Sequence, residues 1–343
     1  MNIYGVKAKM GRELIMMIGV PASGKSTKAG ELVMDAQEKG IAARVFSSDA
    51  IREALFGDEA IQGNPQQIFE LLHQGIVNWL DIHWETPCLA VYDATNINDR
   101  RRADFVKRLR ELFPDIKCTA IICAPSIEWI LEHNAARKRV VSEEVIFNML
   151  RHWTPVTTNE GWDEIYVWRP PRSKATWAEL LNKSVIDQCN SYHNQSLYDH
   201  ILCVMENVRY ALREAYWLSM NRCTSLYEAA KYHDFGKIYT QTGPDDKGEC
   251  HYYNHEAVSA YLYLSAWGKS MVAPQKIDEA EQEIQRLIYY HMLPHRTPRK
   301  GETWRDAAHR LGLDDNTIWA LNILHIADNW RPGMALPNWK EIV

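Results

Sequence analysis

Apolar residues in the first half of the chain fall in short runs closed by turn residues. Leu14–Ile18, Ala42–Phe46, Cys88–Tyr92, Cys118–Cys123 and Ile165–Trp168 are such runs. Their length and flanks predict buried strands. Helical spacing fills the intervals, starting at Lys25, near Ala50 and near Asn98. Strands that alternate with helices need crossovers, so the pattern predicts a mostly parallel sheet with helices on both faces.

After Arg169-Pro-Pro-Arg-Ser-Lys174 the pattern changes. Strand runs become scarce and helical periodicity dominates. Ser196–Leu218, Ser225–Tyr232, Glu256–Trp267, Asp278–His291 and Thr317–Ala327 are predicted helices. Histidines also concentrate in this half. The expected organisation is an α/β domain over 1–170, a linker over 171–186 and an all-α domain over 187–343.

The segment between the first strand and first helix reads Gly19-Val-Pro-Ala-Ser-Gly24-Lys25-Ser26-Thr27. This is the GxxxxGK[ST] spacing of a P-loop, in the strand–loop–helix setting that gives the motif meaning. The glycines let backbone N–H groups turn toward a β-phosphate, and the helix start adds favourable dipole charge. Lys25 can reach the β- and γ-phosphates, and the Ser26 hydroxyl can ligate Mg²⁺. Gly19, Ser23, Gly24, Lys25, Ser26 and Thr27 are therefore the expected ATP–Mg²⁺ cradle.

Two further strand ends carry chemistry. Ser47-Ser48-Asp49-Ala-Ile-Arg52 follows the second strand, and Asp93-Ala-Thr95-Asn96 follows the third. Asp49 and Arg52, three apart at a helix start, share one face. The carboxylate suits an acceptor hydroxyl, and the guanidinium suits a phosphate on that acceptor. The plain alternative is a capped helix start and a capped turn.

Composition narrows the partners. The chain has 343 residues and a net charge of −5. Residues 1–170 carry 20 Lys+Arg against 23 Asp+Glu, and the remainder 19 against 21. Neither half can coat nucleic acid by bulk charge, so a polyanion must be recognised locally. Arg100-Arg-Arg102 is one candidate patch. Seven cysteines with no CxxC pair fit a reducing cytoplasm rather than a disulfide framework. No apolar run is long enough to span a membrane.

The first half resembles the kinase domain of polynucleotide 5′-hydroxyl kinases of phage and bacterial end-healing systems. The resemblance rests on GVPASGKST, SSDAIR, YDATN, the basic segment Asn134–Ile146 and Glu160–Ile165, within residues 12–168. It implies that Asp49 is the general base and that Arg52 contacts the phosphate next to the acceptor nucleoside. Asp93, with Thr95 and Asn96, would position the acceptor. Arg137 and Arg139 would close over the ATP phosphates as a lid. The phage relative spaces its lid arginines more widely, which leaves their individual roles open.

In the second half His200, His233-Asp234, His255, His291 and Asp328 sit on or beside predicted helices. Mixed imidazole and carboxylate ligands suit divalent metals that support hydrolysis. The order His…HisAsp…Asp is identified as the signature of the HD phosphohydrolase superfamily. YDHILCVM, YHDFGK, HYYNHEAVSA, YYHMLPH and HIADNWRPG are similar, in order, to segments of the HD domain of bacterial CCA-adding enzymes, over residues 193–333. That resemblance implies metal ligation by His200, His233, Asp234 and Asp328. It further implies a second position completed by His255 and His291, and Lys237 on a substrate phosphate. His193 and His295 lie nearby in sequence. Mn, Ni, Co, Fe and Mg all suit such a site.

The combined expectation is a cytoplasmic polynucleotide kinase–phosphatase. It would phosphorylate 5′-hydroxyl ends and clear 3′-phosphate or 2′,3′-cyclic phosphate ends of RNA or DNA, upstream of an RNA ligase and without a membrane partner. The alternatives are a nucleoside or nucleotide kinase fused to an HD nucleotidase, and an ATP-gated RNA-binding switch. Oligomeric state and the choice of RNA over DNA are not encoded in these motifs.

Overall fold

The computed structural model describes residues 11–189, 195–215, 219–268, 273–296, 298–330, 334–335 and 337–342. The chain divides into two compact units. One comprises Met1–Met149, Val156–Lys174 and Gly268–Ile277, the other Leu150–Pro155, Ala175–Trp267 and Asp278–Val343.

The first unit holds strands β1 (Arg12–Ile18), β2 (Ala42–Ser47), β3 (Cys88–Asp93), β4 (Lys117–Cys123), β5 (Glu164–Trp168) and β6 (Gln275–Lys276). Its helices are α1 (Lys25–Glu38), α2 (Ser48–Phe56), α3 (Pro65–Ile82), α4 (Asp99–Leu112), α5 (Ile127–Ala135) and α6 (Glu143–Arg151), the last running into the second unit. The sheet order is β2-β3-β1-β4-β5-β6. All neighbours among β1–β5 are parallel, and β6 joins β5 antiparallel. Leu14–Ile18 are buried without a break, as a strand covered on both faces requires. Ala29, Leu32 and Ala36 of α1 pack against Ile15, Met17, Leu89, Val91 and Ile121. On α3, Ile68, Leu72, Ile76 and Leu80 recur every fourth residue and are all buried.

The second unit is built on helices α7 (Trp177–Lys183), α8 (Leu197–Glu214), α9 (Met220–Tyr232), α10 (Lys237–Thr240), α11 (His255–Ala266), α12 (Glu279–Tyr290), α13 (Trp304–Arg310), α14 (Asp315–Asn329) and α15 (Trp339–Ile342). Every residue of α11 is buried, and α9, α10 and α12 pack against it. α9 packs on α8 and α12, and α14 on α8 and α12.

Three expectations change. The stretch read as a linker contains α7, started by a capping box in which Thr176 and Glu179 satisfy each other's backbone N–H groups. The all-α reading of everything after 187 misses β6, whose two residues are too short to leave a periodic signal. The helix expected over Ser196–Leu218 ends at Glu214, with residues 216–218 outside the described residues. His193 also lies outside them.

Candidate functional site

The parallel strands of the first unit deliver their C-terminal ends to one edge, the usual place for ligands in such sheets. The P-loop leaves β1 there. Gly19 donates its N–H to Thr95 O at 2.9 Å. A Cβ on Gly19 would stand 2.7 Å from Ser23 Oγ and 2.8 Å from Cys123 O, so the turn tolerates only glycine. Gly24 caps α1 with φ +86°, the left-handed conformation glycine adopts at little cost. Ser23 is fully buried and its Oγ has no hydrogen-bond partner among the described residues. Lys25 is buried, and its Nζ donates to Val20 O at 3.0 Å, folding back over its own loop. Burial pulls the Lys25 pKa down, opposed by the charges of Asp93 and Asp49. Ser26 and Thr27 are exposed in the first turn of α1, Ser26 offering the hydroxyl for Mg²⁺. The bent loop, the partnerless hydroxyl and the ammonium fit an anionic phosphate with its cation.

Asp93 ends β3, paired in register with Ser47 of β2 and Met17 of β1, and is buried. Asp49 lies in the first turn of α2, its N–H bonded to the Ser47 hydroxyl at 3.2 Å. Arg52 NH1 meets Asp49 Oδ1 at 2.6 Å, so the pair forms as the spacing predicts. Arg139 also faces Asp49 Oδ1, at 3.6 Å. Arg137 and Arg139 lie between α5 and α6, where Asn134 and Val141 exchange two hydrogen bonds across the segment (2.7 and 3.1 Å).

The Asn96 side chain donates to Met17 O at 2.9 Å, tying its turn to β1. One assignment needs correction. Arg102 does not extend the Arg100–Arg101 surface. It is 1% exposed and forks onto Glu160, Nε to Oε2 at 2.7 Å and NH2 to Oε1 at 2.8 Å. Trp162 Nε1 and Thr157 N–H complete the Glu160 shell, at 3.1 Å each. A periodic reading cannot separate a buried arginine from an exposed one when its partner lies 58 positions away.

The second unit gathers its histidines around one carboxylate. His200 comes from α8, His233 and Asp234 follow α9, His255 begins α11, His291 follows α12 and Asp328 lies on α14. His200 Nε2 lies 3.1 Å from Asp234 Oδ2 and 3.0 Å from Asp328 Oδ1. His233 Nε2 is 3.5 Å from both carboxylates. On the other oxygen of Asp234, His255 Nε2 stands at 3.1 Å and His291 Nε2 at 3.6 Å. Two ligand groups result, His200–His233–Asp234–Asp328 and Asp234–His255–His291, sharing Asp234.

Ring orientation shows what the cluster suits. His233, His255 and His291 place Nδ1 against the carbonyls of Ala230, Tyr252 and Ile288 at 2.9, 2.8 and 2.7 Å. A carbonyl only accepts, so each Nδ1 carries a proton and each ring turns its Nε2 inward. The Nε2 atoms of His255 and His291 lie 3.2 Å apart, both beside Asp234 Oδ1. The imidazole–carboxylate donor set suits a divalent cation. Burial raises the Asp234 pKa, but Lys237 and the surrounding histidines outweigh it and hold the carboxyl well below its ordinary range. Asp328 behaves alike, with His200, His233 and His295 overcoming burial. Lys237 is itself buried, with Nζ 2.7 Å from Asp234 Oδ2 and 3.0 Å from Gln188 Oε1.

Some neighbours escaped sequence reasoning. Gln188 and Tyr252 brace Lys237, and the Tyr252 hydroxyl donates to Gln188 O at 2.7 Å. His325 reaches His295 at 3.1 Å, while His295 lies 3.5 Å from Asp328. His325 precedes Asp328 by three positions on α14, a spacing that could have drawn attention to it.

Residues 14–156 match the AAA domain family. Among solved structures the chain is similar to Chaetomium thermophilum Kti12, crystallised in complex with ADP-AlF3. The identity is 14%, 46% of this chain and 88% of that chain are covered, and the TM-score is 0.36. No curated protein matches the chain. The family match, over less than half of the chain, and the loop geometry support a P-loop α/β domain in the first unit. Among the described residues, no helix is long and apolar enough to cross a membrane.

Proposed function

We propose that the chain is an end-healing polynucleotide kinase and 3′-end phosphohydrolase. The observation that carries the reading is Asp49 held by Arg52 beside a complete P-loop, in a chain that also gathers five inward-facing ligands around Asp234. One arrangement suits adding a phosphate to a hydroxyl next to a phosphodiester, and the other suits removing one. Breaks with a 5′-hydroxyl and a 3′- or cyclic phosphate need both.

At the first site Lys25 and the loop N–H groups hold the ATP phosphates while Arg52 takes the acceptor phosphate. Asp49 then accepts the proton of the 5′-hydroxyl as its oxygen bonds to the γ-phosphorus. The bond from that phosphorus to the bridging oxygen breaks, and ADP leaves. Lys25 stabilises the charge gathered on the transferring group. Asp93, at the strand end, fixes the acceptor side of the pocket.

At the second site His200, His233, Asp234 and Asp328 would hold one divalent metal, and Asp234, His255 and His291 another. Bound metals supply Lewis acidity for attack of water on the 3′-phosphorus. Asp234 orients both ligand groups through its two oxygens, and Lys237 keeps that carboxylate ionised. The backbone carbonyls behind His233, His255 and His291 fix their tautomers.

The acceptor class is tested with ATP, Mg²⁺ and three hydroxyl acceptors: an oligonucleotide, a free nucleoside and a free nucleotide. Transfer of γ-phosphate to the 5′ end of the oligonucleotide supports the reading. Efficient transfer to the nucleoside or nucleotide with none to the oligonucleotide overturns it and favours a nucleotide-metabolising kinase.

A further inference from the structure

Arg139, in the segment between α5 and α6, faces the carboxylate of Asp49. Arg139 NH1 donates to Glu59 O at 2.9 Å and faces Asp49 Oδ1 at 3.6 Å. Its contacts thus lie on α2 and the turn that follows it. The Asn134–Val141 clasp closes the segment at its base.

Around Asp49 the charges are unbalanced. Two guanidinium groups, from Arg52 and Arg139, meet one carboxylate oxygen, Oδ1, and Oδ2 makes no hydrogen bond or ion pair with the described residues. Arg52 Nε is buried and has no hydrogen-bond partner among the described residues. One carboxylate therefore leaves cationic capacity for a further anion on the acceptor side. Guanidinium forks suit the oxygens of a phosphate.

We infer that Arg139 belongs to the acceptor subsite, where with Arg52 it binds a phosphate attached to the acceptor. This rests on the kinase reading above and departs from the shared lid role the resemblance implied. The ligand class is a nucleoside whose 3′-oxygen carries a phosphate. An uncharged nucleoside would leave both arginines on Asp49.

The test measures binding as well as turnover. Titration calorimetry on the full chain uses adenosine 3′-monophosphate as the acceptor probe and Mg²⁺–ADP as the donor probe. Arg139→Ala is expected to weaken the acceptor probe by about tenfold or more, the usual loss for a charged hydrogen bond, and the donor probe by less than about twofold. Arg139→Lys should restore part of the acceptor affinity, and unchanged melting temperatures exclude unfolding as the cause. Loss of ADP affinity in Arg139→Ala, or no binding of adenosine 3′-monophosphate by the parent chain, would overturn the inference. If the parent binds both probes and Arg139→Ala loses only the first, yet no phosphate reaches any 5′-hydroxyl, the inference stands and the kinase reading falls.

Discussion

Asp234 Oδ1 lies 3.1 Å from His255 Nε2, while the other oxygen of the same carboxylate faces His200. One side chain therefore belongs to both ligand groups, and its loss differs in kind from the loss of any histidine. Asp234→Asn should abolish binding at both metal positions, whereas His255→Ala should spare the His200–His233–Asp328 group. Metal stoichiometry by atomic emission after Mn²⁺ loading checks this. Equal stoichiometries in the two variants would contradict a shared ligand.

Gly236 explains how Asp234 comes so near His255. Its φ is not unusual, but a Cβ there would lie 2.0 Å from His255 O and 2.9 Å from Ser259 N. The turn after α9 thus presses directly on the start of α11, and Gly236 N–H bonds Ser259 Oγ at 2.8 Å. Gly236→Ala must push the two apart. The expected result is at least about a tenfold loss of metal affinity, as for removal of a supporting group around a metal. Parent-like Mn²⁺ affinity in the variant would show that the close approach is not needed.

The buried Arg102–Glu160 fork predicts a stability effect in the first unit. Glu160→Gln would leave a guanidinium that is 1% exposed without its countercharge. Breaking a buried pair by removing one partner costs about 3–5 kcal/mol. Urea unfolding should show that loss, and a change under about 1 kcal/mol would contradict the assignment.

His73 predicts an acid limb to stability. It stacks on Phe105 with ring centroids 4.0 Å apart and meets the Tyr92 hydroxyl at 3.1 Å. Burial, helped by the charge of Arg108, lowers its pKa from 6.5 to about 4. The folded pKa lies below the unfolded one, so the unfolded chain binds the extra proton between those values. The neutral ring's contribution is complete above pH 6.5 and is lost as pH falls toward 4, amounting to about 2–3 kcal/mol at most. His73→Phe should unfold with a shallower pH dependence across that window. An unchanged slope between pH 6.5 and 4 would contradict it.

Much of this was legible in the sequence, for physical reasons. Strands β1 to β5 show as apolar runs because both faces are covered, and the P-loop shows because phosphate binding fixes glycine positions. Asp49 and Arg52 pair because helix geometry places residues three apart together. What escaped depends on distant partners. Glu160 decides the fate of Arg102. The contact of Arg139 with Asp49 bridges separate segments, and local spacing cannot encode it. Gln188 and Tyr252 matter only through Lys237. β6 is recruited from beyond residue 267 by two residues.

The central claim is that one chain carries two independent end-processing sites. The most direct measurement follows both ends of a single RNA bearing a 5′-hydroxyl and a labelled 3′-phosphate, with γ-labelled ATP, Mg²⁺ and Mn²⁺. The parent chain should gain label at the 5′ end and release it from the 3′ end. Asp49→Ala should lose only the first reaction and Asp234→Ala only the second. Loss of both reactions in either folded variant, or neither reaction in the parent, would contradict the account.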